Sequence, residues 1–515
     1  MRRRYLLASA ALTLSSGCIG GDESEPTVDQ SNDDNDEPDS VDEQDTDSTT
    51  DDPSYATIDD EFDPIDRPDG LPGSELFDLE APELRGSLVP ATYRVGDGLQ
   101  ARITIAAEPD EDGPLIVAAS VTNEAEYTQY VRARDIPPFN APRNASVEGY
   151  ADRRPETNGS KGRLTIRATA ESPFIDADPN LLRDQDGIWQ IADPDRPQSY
   201  PDVIRLDPGQ TLYGEFAILS PSGSGAVQPG RYEFMLRDRG FGFTLWESGH
   251  PGPIEESRFA GSSVPTIRDG TMNWYHEADA TTETYLYPSA EQVELPELLT
   301  FTFVNHADES AGGNPFDWAL HKLVDGRWYK IAPWMLPLPF SLMAPGTSRS
   351  YSRVFFNDAG FEVGYDAGAD RLRPIPYLGG GTYAISVGFS VGDGRPTALV
   401  ELEGDPVTVS ASDDVEILEQ DNDRVRLNDP SAGMPRYVVQ LTEADEDVKP
   451  NRRLIPEQVM QSEHAAVRNL LAYRHDAEVV EIQVSGYRIG LALGSDEEHA
   501  HLAFEDGVYR IERVE

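Results

Sequence analysis

The side chains able to ligate a metal or act as a nucleophile are few and widely scattered. Eight histidines and one cysteine serve 515 residues, and the closest imidazoles are His499 and His501, preceded by Glu497 and Glu498. Residues two apart share a face of a strand, so both rings and Glu497 would point to one metal. The crowd of acids makes this stretch read instead as an exposed turn leading into a strand. His276, after Trp274-Tyr275, and His321, between Trp318 and Trp328, read as polar members of aromatic clusters. Acid pairs are so abundant that none stands out as a glycosidase dyad, a mechanism that depends on spatial separation. The chain has no phosphate loop, G-x-G-x-x-G, H-E-x-x-H or G-x-S-x-G. No catalytic residue, metal ligand or cofactor is assigned.

Composition narrows the classes further. Asp+Glu number 93 against 42 Lys+Arg, a formal charge of −51 with a pI near 4.3. Such a surface repels phosphate backbones, which excludes nucleic acid as a partner. One cysteine excludes a disulfide scaffold, a Cys-based zinc site and an iron–sulfur cluster. A mean hydropathy of −0.50 excludes a multi-span membrane protein. The acids also fill turns along the body, as in 108–113 and 443–447, and lysine occurs only at Lys161, Lys322, Lys330 and Lys449. In dilute buffer this charge repels itself, whereas molar salt shrinks the Debye length to about 3 Å. The balance resembles that of haloarchaeal proteins and implies a halophilic setting.

The N-terminus reads as an address. A basic Met1-Arg-Arg-Arg is followed by an apolar run, Tyr5 to Leu14, too short to span a bilayer. Arg2-Arg3-x-Tyr5-Leu6 resembles the twin-arginine (Tat) export motif, with Arg2 and Arg3 as the export signal. Leu14-Ser-Ser-Gly-Cys18 resembles a lipobox, with Ser15 where an aliphatic residue is usual. The resemblance implies that Cys18, the only cysteine, becomes the lipid-bearing first residue. Residues 1–18 are thus a signal peptide with lipobox. Residues 19–64 follow as a disordered acidic linker, with 19 Asp/Glu and no Lys or Arg between Asp22 and Asp63. Like charges and a lack of apolar residues keep such a stretch extended and solvated.

From Ile65 onward short apolar runs alternate with Gly, Pro, Asp and Asn punctuation, the pattern of antiparallel β structure. Four landmarks then recur in the same order. Leu115 to Asn123 matches Leu299 to Asn305, and Asp186-Gly-Ile-Trp189 matches Asp325-Gly-Arg-Trp328. Asp207-Pro-Gly209 matches Ala344-Pro-Gly346, and Pro229-Gly-Arg-Tyr232 matches Gly380-Gly-Thr-Tyr383. Asp-Gly marks a hairpin turn, Pro-Gly the entry to a strand, and the Trp and Tyr plug a core. This order resembles bacterial Ig-like sandwich domains of surface lipoproteins, at 65–270 and 271–412. The first copy carries a long polar insert between Val131 and Asp184. The resemblance implies display, spacing or adhesion, and no active site.

Residues 413–515 read as a small α+β domain, one helix over Pro456–Tyr473 packed on an antiparallel sheet. Two further features bear on function. Trp328 to Phe340 is aromatic and proline-broken in a chain otherwise saturated with charge, so Trp334, Met335, Leu336 and Phe340 form a candidate partner patch. Asn144-Ala-Ser146 and Asn158-Gly-Ser160 are acceptor motifs for N-glycosylation at Asn144 and Asn158, both in the insert.

The sequence therefore predicts a mainly β protein: two Ig-like antiparallel sandwiches in tandem plus a small C-terminal α+β domain, after the acidic linker. It predicts a non-enzymatic lipoprotein held to membrane lipid through Cys18 on the extracellular face, binding an unknown surface protein or ligand. The alternatives are an accessory ligand-binding lipoprotein of an envelope transporter and a halophilic extracellular hydrolase with its site between domains.

Overall fold

The computed structural model describes residues 55–514, apart from 59–63, 65–74, 80–82, 141–142, 150–162, 176–177, 185–186, 194–197, 199, 222–226, 268–269, 335, 361–372, 422, 431–435, 446, 486–492 and 494–497. The signal peptide, Cys18 and nearly all of the acidic linker lie outside the described residues. The described part is mainly β with a small helical element near its C-terminal end, as the sequence predicts. Three apolar clusters form its cores. One draws on Ile58 to Leu245, the next on Tyr275 to Leu402, and the last on Val425 to Ile511.

The first β body is a single ten-stranded sheet. In spatial order its strands are Glu75–Leu79, Leu84–Val89, Arg239–Glu247, Gly230–Leu236, Arg143–Glu148, Arg163–Ala168, Thr211–Leu219, Leu115–Asn123, Leu99–Ala107 and Thr92–Gly96. The sheet curls until its ends meet: the Glu75 carboxylate accepts hydrogen bonds from Thr104 Oγ1 and the Ile105 amide. Gly86 makes room for Phe77, its partner across the neighbouring strand, which lies over it so that a Cβ there would sit 2.2 Å from the ring.

The hairpin Arg143–Glu148/Arg163–Ala168 comes from the insert. It pairs with Gly230–Leu236 on one side and Thr211–Leu219 on the other, joining what would otherwise be two layers. The sequence's expectation of a polar insert is corrected here. Ile136, Phe139, Ala145, Val147, Leu164 and Ile166 are all buried in the first core. Their period-2 spacing along two short strands is hidden in the sequence by intervening Arg, Asn and Ser.

The second β body packs two sheets face to face. One contains Met272–Trp274, Arg395–Glu403, Gly381–Val387, Trp318–Val324 and Arg327–Ala332, with Gln292–Glu294 also on Arg395–Glu403. The other runs Thr284–Pro288, Glu297–Asn305, Thr347–Phe355, Arg373–Ile375. Phe301, Phe303 and Phe355 meet Leu320, Ile331, Ile385 and Val400 in the core between them. Neither body is purely antiparallel: Ala56–Thr57, Met272–Trp274, Gln292–Glu294 and Arg373–Ile375 each add a parallel pairing at an edge.

The repeated landmarks do the same work in both bodies. Asn123 Nδ2 donates to Tyr127 O and Leu206 O, its Oδ1 accepts from the Ala125 amide, and Gly209 N donates to Asn123 O. Asn305 Nδ2 donates to Glu309 O and Met343 O, its Oδ1 accepts from Ala307 N, and Gly346 N donates to Asn305 O. Tyr232 Oη donates to the carbonyl of Gln228, and Tyr383 Oη to that of Gly379, each four residues upstream. An asparagine is needed because only a side chain with donor and acceptor at one tip satisfies both ends of the bend.

The two bodies meet where Trp246 stacks on His306 (centroids 4.9 Å, planes 6° apart) and Ser87 Oγ donates to Pro345 O at 2.8 Å. Gly346, at φ 70°, lies so close that a Cβ would be 2.5 Å from Ser87 Cβ and 2.9 Å from the Trp246 ring.

The C-terminal module is a seven-stranded sheet in the order Glu416–Gln420, Arg424–Asn428, Val479–Ser485, Arg436–Glu443, Gly507–Arg513, His499–Phe504, Arg452–Leu454. It is mixed rather than antiparallel, since Arg424–Asn428 runs parallel to Val479–Ser485 and Arg452–Leu454 parallel to His499–Phe504. Parallel neighbours need long crossovers, and the helical segment lies on those paths. The predicted single helix over Pro456–Tyr473 is also corrected. It divides into Pro456–Val459, a 3₁₀ turn Ser462–His464, and Ala465–Ala472. Gln461 breaks it with extended backbone (ψ 149°), its side chain donating to Pro376 O and Glu457 O. Val467, Leu470 and Leu471 then turn onto the sheet.

Candidate functional site

The strand Arg327–Ala332 begins at a two-residue turn, Asp325 and Gly326, both at positive φ (48° and 71°). That mirror-image turn matches the twist of a hairpin and suits Asp-Gly. Alternation then sends Tyr329 and Ile331 into the second core, leaving Arg327 exposed and Trp328 and Lys330 half-buried. This strand is an edge of its sheet, and Arg452–Leu454 is an edge of the C-terminal sheet. The two edges line one open cleft of about 1390 Å³, solvent at its mouth included. Gly326 to Lys330 and Pro450 to Arg453 form its long walls, and Pro265 to Ile267 close a third side. Trp328 is fixed there by its indole N–H, which donates to Pro265 O at 2.7 Å, and by stacking on Trp274.

The charge of the cleft lining is opposite in sign to the net charge of the chain. Arg327, Lys330, Arg452 and Arg453 line the cleft, and no Asp or Glu among the described residues does. Burial pulls the Arg452 guanidinium below its usual value. Arg452 and burial together act on His464 nearby: burial first and the positive charge second push its imidazole down to about 4. The His464 ring meets Trp334 edge-on, centroids 4.7 Å apart.

A buried lock joins the cleft's two walls. Lys322 of the second body and Glu457 of the helix Pro456–Val459 form an ion pair, both nearly inaccessible. Lys322 Nζ also lies over the Tyr383 ring at 5.3 Å, and Gly379 leaves room for the carboxylate. Gln458 Nε2 donates to Lys330 O at 2.9 Å, and Ile455 is buried in the second core rather than the third.

Among the residues singled out from sequence, Trp334 and Leu336 pack within the molecule. Trp334 donates its indole N–H to Ile331 O and faces His464, while Leu336 lies against the second core. Phe340 is 74 % exposed and its neighbour Leu338 90 %. The patch is thus divided: Trp334 is taken up against His464 of the C-terminal module, while Phe340 stays exposed. Asn144 is exposed on the strand Arg143–Glu148. Arg2, Arg3, Cys18, Asn158 and Met335 lie outside the described residues. His499 and His501 lie together on the strand His499–Phe504, rings 5.7 Å apart. No group of three or more His, Cys, Asp or Glu comes together among the described residues.

Sequence reading missed the four cleft cations. The available signal was local: two of four lysines fall within nine residues, Lys322 to Lys330, and Arg452-Arg453 follows a long acidic stretch.

No family profile and no curated protein matches the chain. Among solved structures, a β-glucosidase from Listeria innocua in complex with isofagomine overlaps at 16 % identity over 25 % of this chain and 17 % of its own, TM-score 0.14. A mutant of that β-glucosidase in complex with laminaribiose overlaps at 18 % identity, over 25 % and 17 % of the two chains, with the same score. A polysaccharide lyase overlaps at 11 % identity, over 61 % of this chain and 35 % of its own, TM-score 0.12. The chain spans less than a fifth of the glucosidase and about a third of the lyase. Overlaps at these scores carry no argument about activity.

Proposed function

We propose that this is a non-catalytic binding module of the cell surface, exported through the twin-arginine route and held to the membrane by lipid on Cys18. The haloarchaeal cast of the composition and the lipobox-like Leu14 to Cys18 support that placement. The acidic linker spaces the folded part from the membrane. The observation that carries the binding reading is the cleft: four cations and, among the described residues, no acid along its walls, in a chain with 93 acids. Cationic groups gathered against the net field of the molecule must be offset by burial or by an anionic partner. Arg327 and Arg453 are exposed, which favours the partner.

Cross-linking on intact envelopes at native salt, followed by affinity capture and mass spectrometry, tests the reading. We expect one stoichiometric protein partner whose capture weakens when Arg453→Glu is introduced. An envelope that yields no partner overturns the binding role. Cys18→Ser is expected to shift the protein from the envelope to the medium, and its retention in the envelope counts against the lipid anchor.

A further inference from the structure

The exposed half of the aromatic stretch forms a braced apolar tip. Leu338 is 90 % exposed and Phe340 74 %, and Leu342 follows at 36 %. From Ile331 to Ser348 the chain carries no charged residue, in a protein where 26 % of residues are charged. Both ends of the tip are held. Asn314 Nδ2 donates to Pro337 O at 2.6 Å, and Ser341–Met343 pairs with Ala311–Gly313. The Phe340 ring lies against Gly312, where a Cβ would come within 3.0 Å of it. Pro337 and Pro339 fix their own φ and have no N–H. Between 337 and 340 only Leu338 and Phe340 carry a backbone donor, so the tip brings few groups that an apolar phase would leave unsatisfied.

We infer that this tip dips into the membrane that carries the protein, Leu338 and Phe340 entering the boundary between headgroups and acyl chains. The inference rests on the lipid anchor of the proposed function for the nearness of that membrane, and is independent of the cleft. Between Cys18 and Tyr55 lie 36 residues, a tether of at most about 120 Å, so the fold stays within reach of the bilayer. A single acyl chain holds a protein only marginally, and stable attachment takes a second signal. The tether makes that second contact intramolecular, so a small apolar contact counts. A bilayer suits the tip better than a protein does. Protein interfaces carry about one hydrogen bond per 100–200 Å², and the tip has few polar groups to make them, whereas acyl chains need none. The net charge opposes the approach in dilute buffer, but at molar salt the Debye length is about 3 Å. Beside the tip, the hollow that Leu336 and Pro337 share with Arg349 and Arg353 has no acid among its described lining residues. Those two guanidinium groups lie over the rings of Tyr351 and Trp318.

The test uses the full-length chain with Cys18→Ser, so that Leu338→Cys introduces its only thiol, which takes an environment-sensitive nitrobenzoxadiazole label. Vesicles of phosphatidylcholine and phosphatidylglycerol with brominated acyl chains are added at low and at molar KCl. At molar KCl the label is expected to shift to the blue and to be quenched by the bromines. The same label at Ile254→Cys, a position 63 % exposed, is expected to do neither. Adding Phe340→Ser to the labelled chain is expected to raise the lipid concentration at the midpoint roughly tenfold, the worth of one apolar side chain. Position 340 is exposed, and an unchanged melting temperature certifies the fold of the variant. A silent label at 338, or an equal shift at 254, overturns the inference. So does a shift that Phe340→Ser leaves untouched, which belongs to the dye. If the label is silent while envelope capture of a protein falls with Phe340→Ser, the tip docks on protein and the bilayer is overturned. A silent label with Cys18→Ser released from the envelope removes the tip and leaves the anchor. An inserting label, with Cys18→Ser still retained on the envelope after Phe340→Ser is added, removes the anchor and leaves the tip.

Discussion

At the scale of single residues, His464 illustrates how position sets chemistry. It is 1 % exposed, beside Arg452, and neither ring nitrogen has a hydrogen-bond partner. Its imidazole, down at about 4, is neutral when folded but titrates near 6.5 when unfolded. Between those values the unfolded chain binds the extra proton, so stability declines as pH drops from about 6.5 to about 4. The full loss is roughly 3 kcal/mol. His464→Gln is expected to flatten that part of the stability–pH curve relative to the parent, as read by urea unfolding at matched salt. An unchanged difference between pH 7 and pH 4.5 would refute the assignment. Gly86 makes the complementary point. Gly86→Ala puts a methyl inside the Phe77 ring and is expected to cost about 1–3 kcal/mol, as for other overpacked cores. Neither role is legible in the sequence: that of His464 depends on Trp334 from a distant segment, and that of Gly86 on the strand register that sets it opposite Phe77. Asn123, Asn305, Tyr232 and Tyr383 were legible because the turns that need them repeat in the same order, and each tyrosine bonds a carbonyl only four residues upstream.

At the scale of elements, the short helix Pro456–Val459 ties the second body to the C-terminal module. Sequence periodicity joined it to Ala465–Ala472, since Val459, Met460, Val467, Leu470 and Leu471 fit one helical face. The contacts explain the break: Glu457, Gln458 and Gln461 are claimed by the second body, whereas Val467 to Leu471 belong to the third core. One straight helix cannot serve both. Lys322→Met alone leaves Glu457 buried without its partner and is expected to cost about 3–5 kcal/mol. Adding Glu457→Leu to that variant is expected to recover most of the loss, since an apolar pair of similar volume needs no desolvation. A double-mutant cycle by thermal unfolding measures both. Additive losses would show that the two groups do not act as a pair. The insert hairpin was unreadable for a different reason. Its strands are only six residues each, and polar residues interrupt the apolar alternation: Asn144 and Ser146 are exposed, while Thr165 and Arg167 are buried.

At the scale of the whole molecule, charge and joints decide behaviour. With a formal charge of −51 the melting temperature is expected to rise steeply with added KCl and level off near molar concentration, where the Debye length is about 3 Å. A melting temperature indifferent to salt would mean that the acids are already neutralised in the fold. Gly346→Ala tests the joint between the two β bodies. The new methyl meets Ser87 and Trp246 and forces a left-handed residue, at an expected cost of roughly 2–4 kcal/mol. Calorimetry is expected to show the single transition of the parent splitting in two. The β class, the C-terminal change of style and the repeated turns were visible in sequence because they are local and periodic. The cleft was not, because its walls are separated by more than a hundred residues and meet only through the lock. That lock also bears on descent. Ile455 lies in the core of the second body, although the chain reaches it only after leaving that body and starting the next. A recombination event that cut between the two would strand the plug with one partner and the hole with the other. Lineages of this protein are therefore expected to gain or lose the last two modules together, while the first remains free to be exchanged.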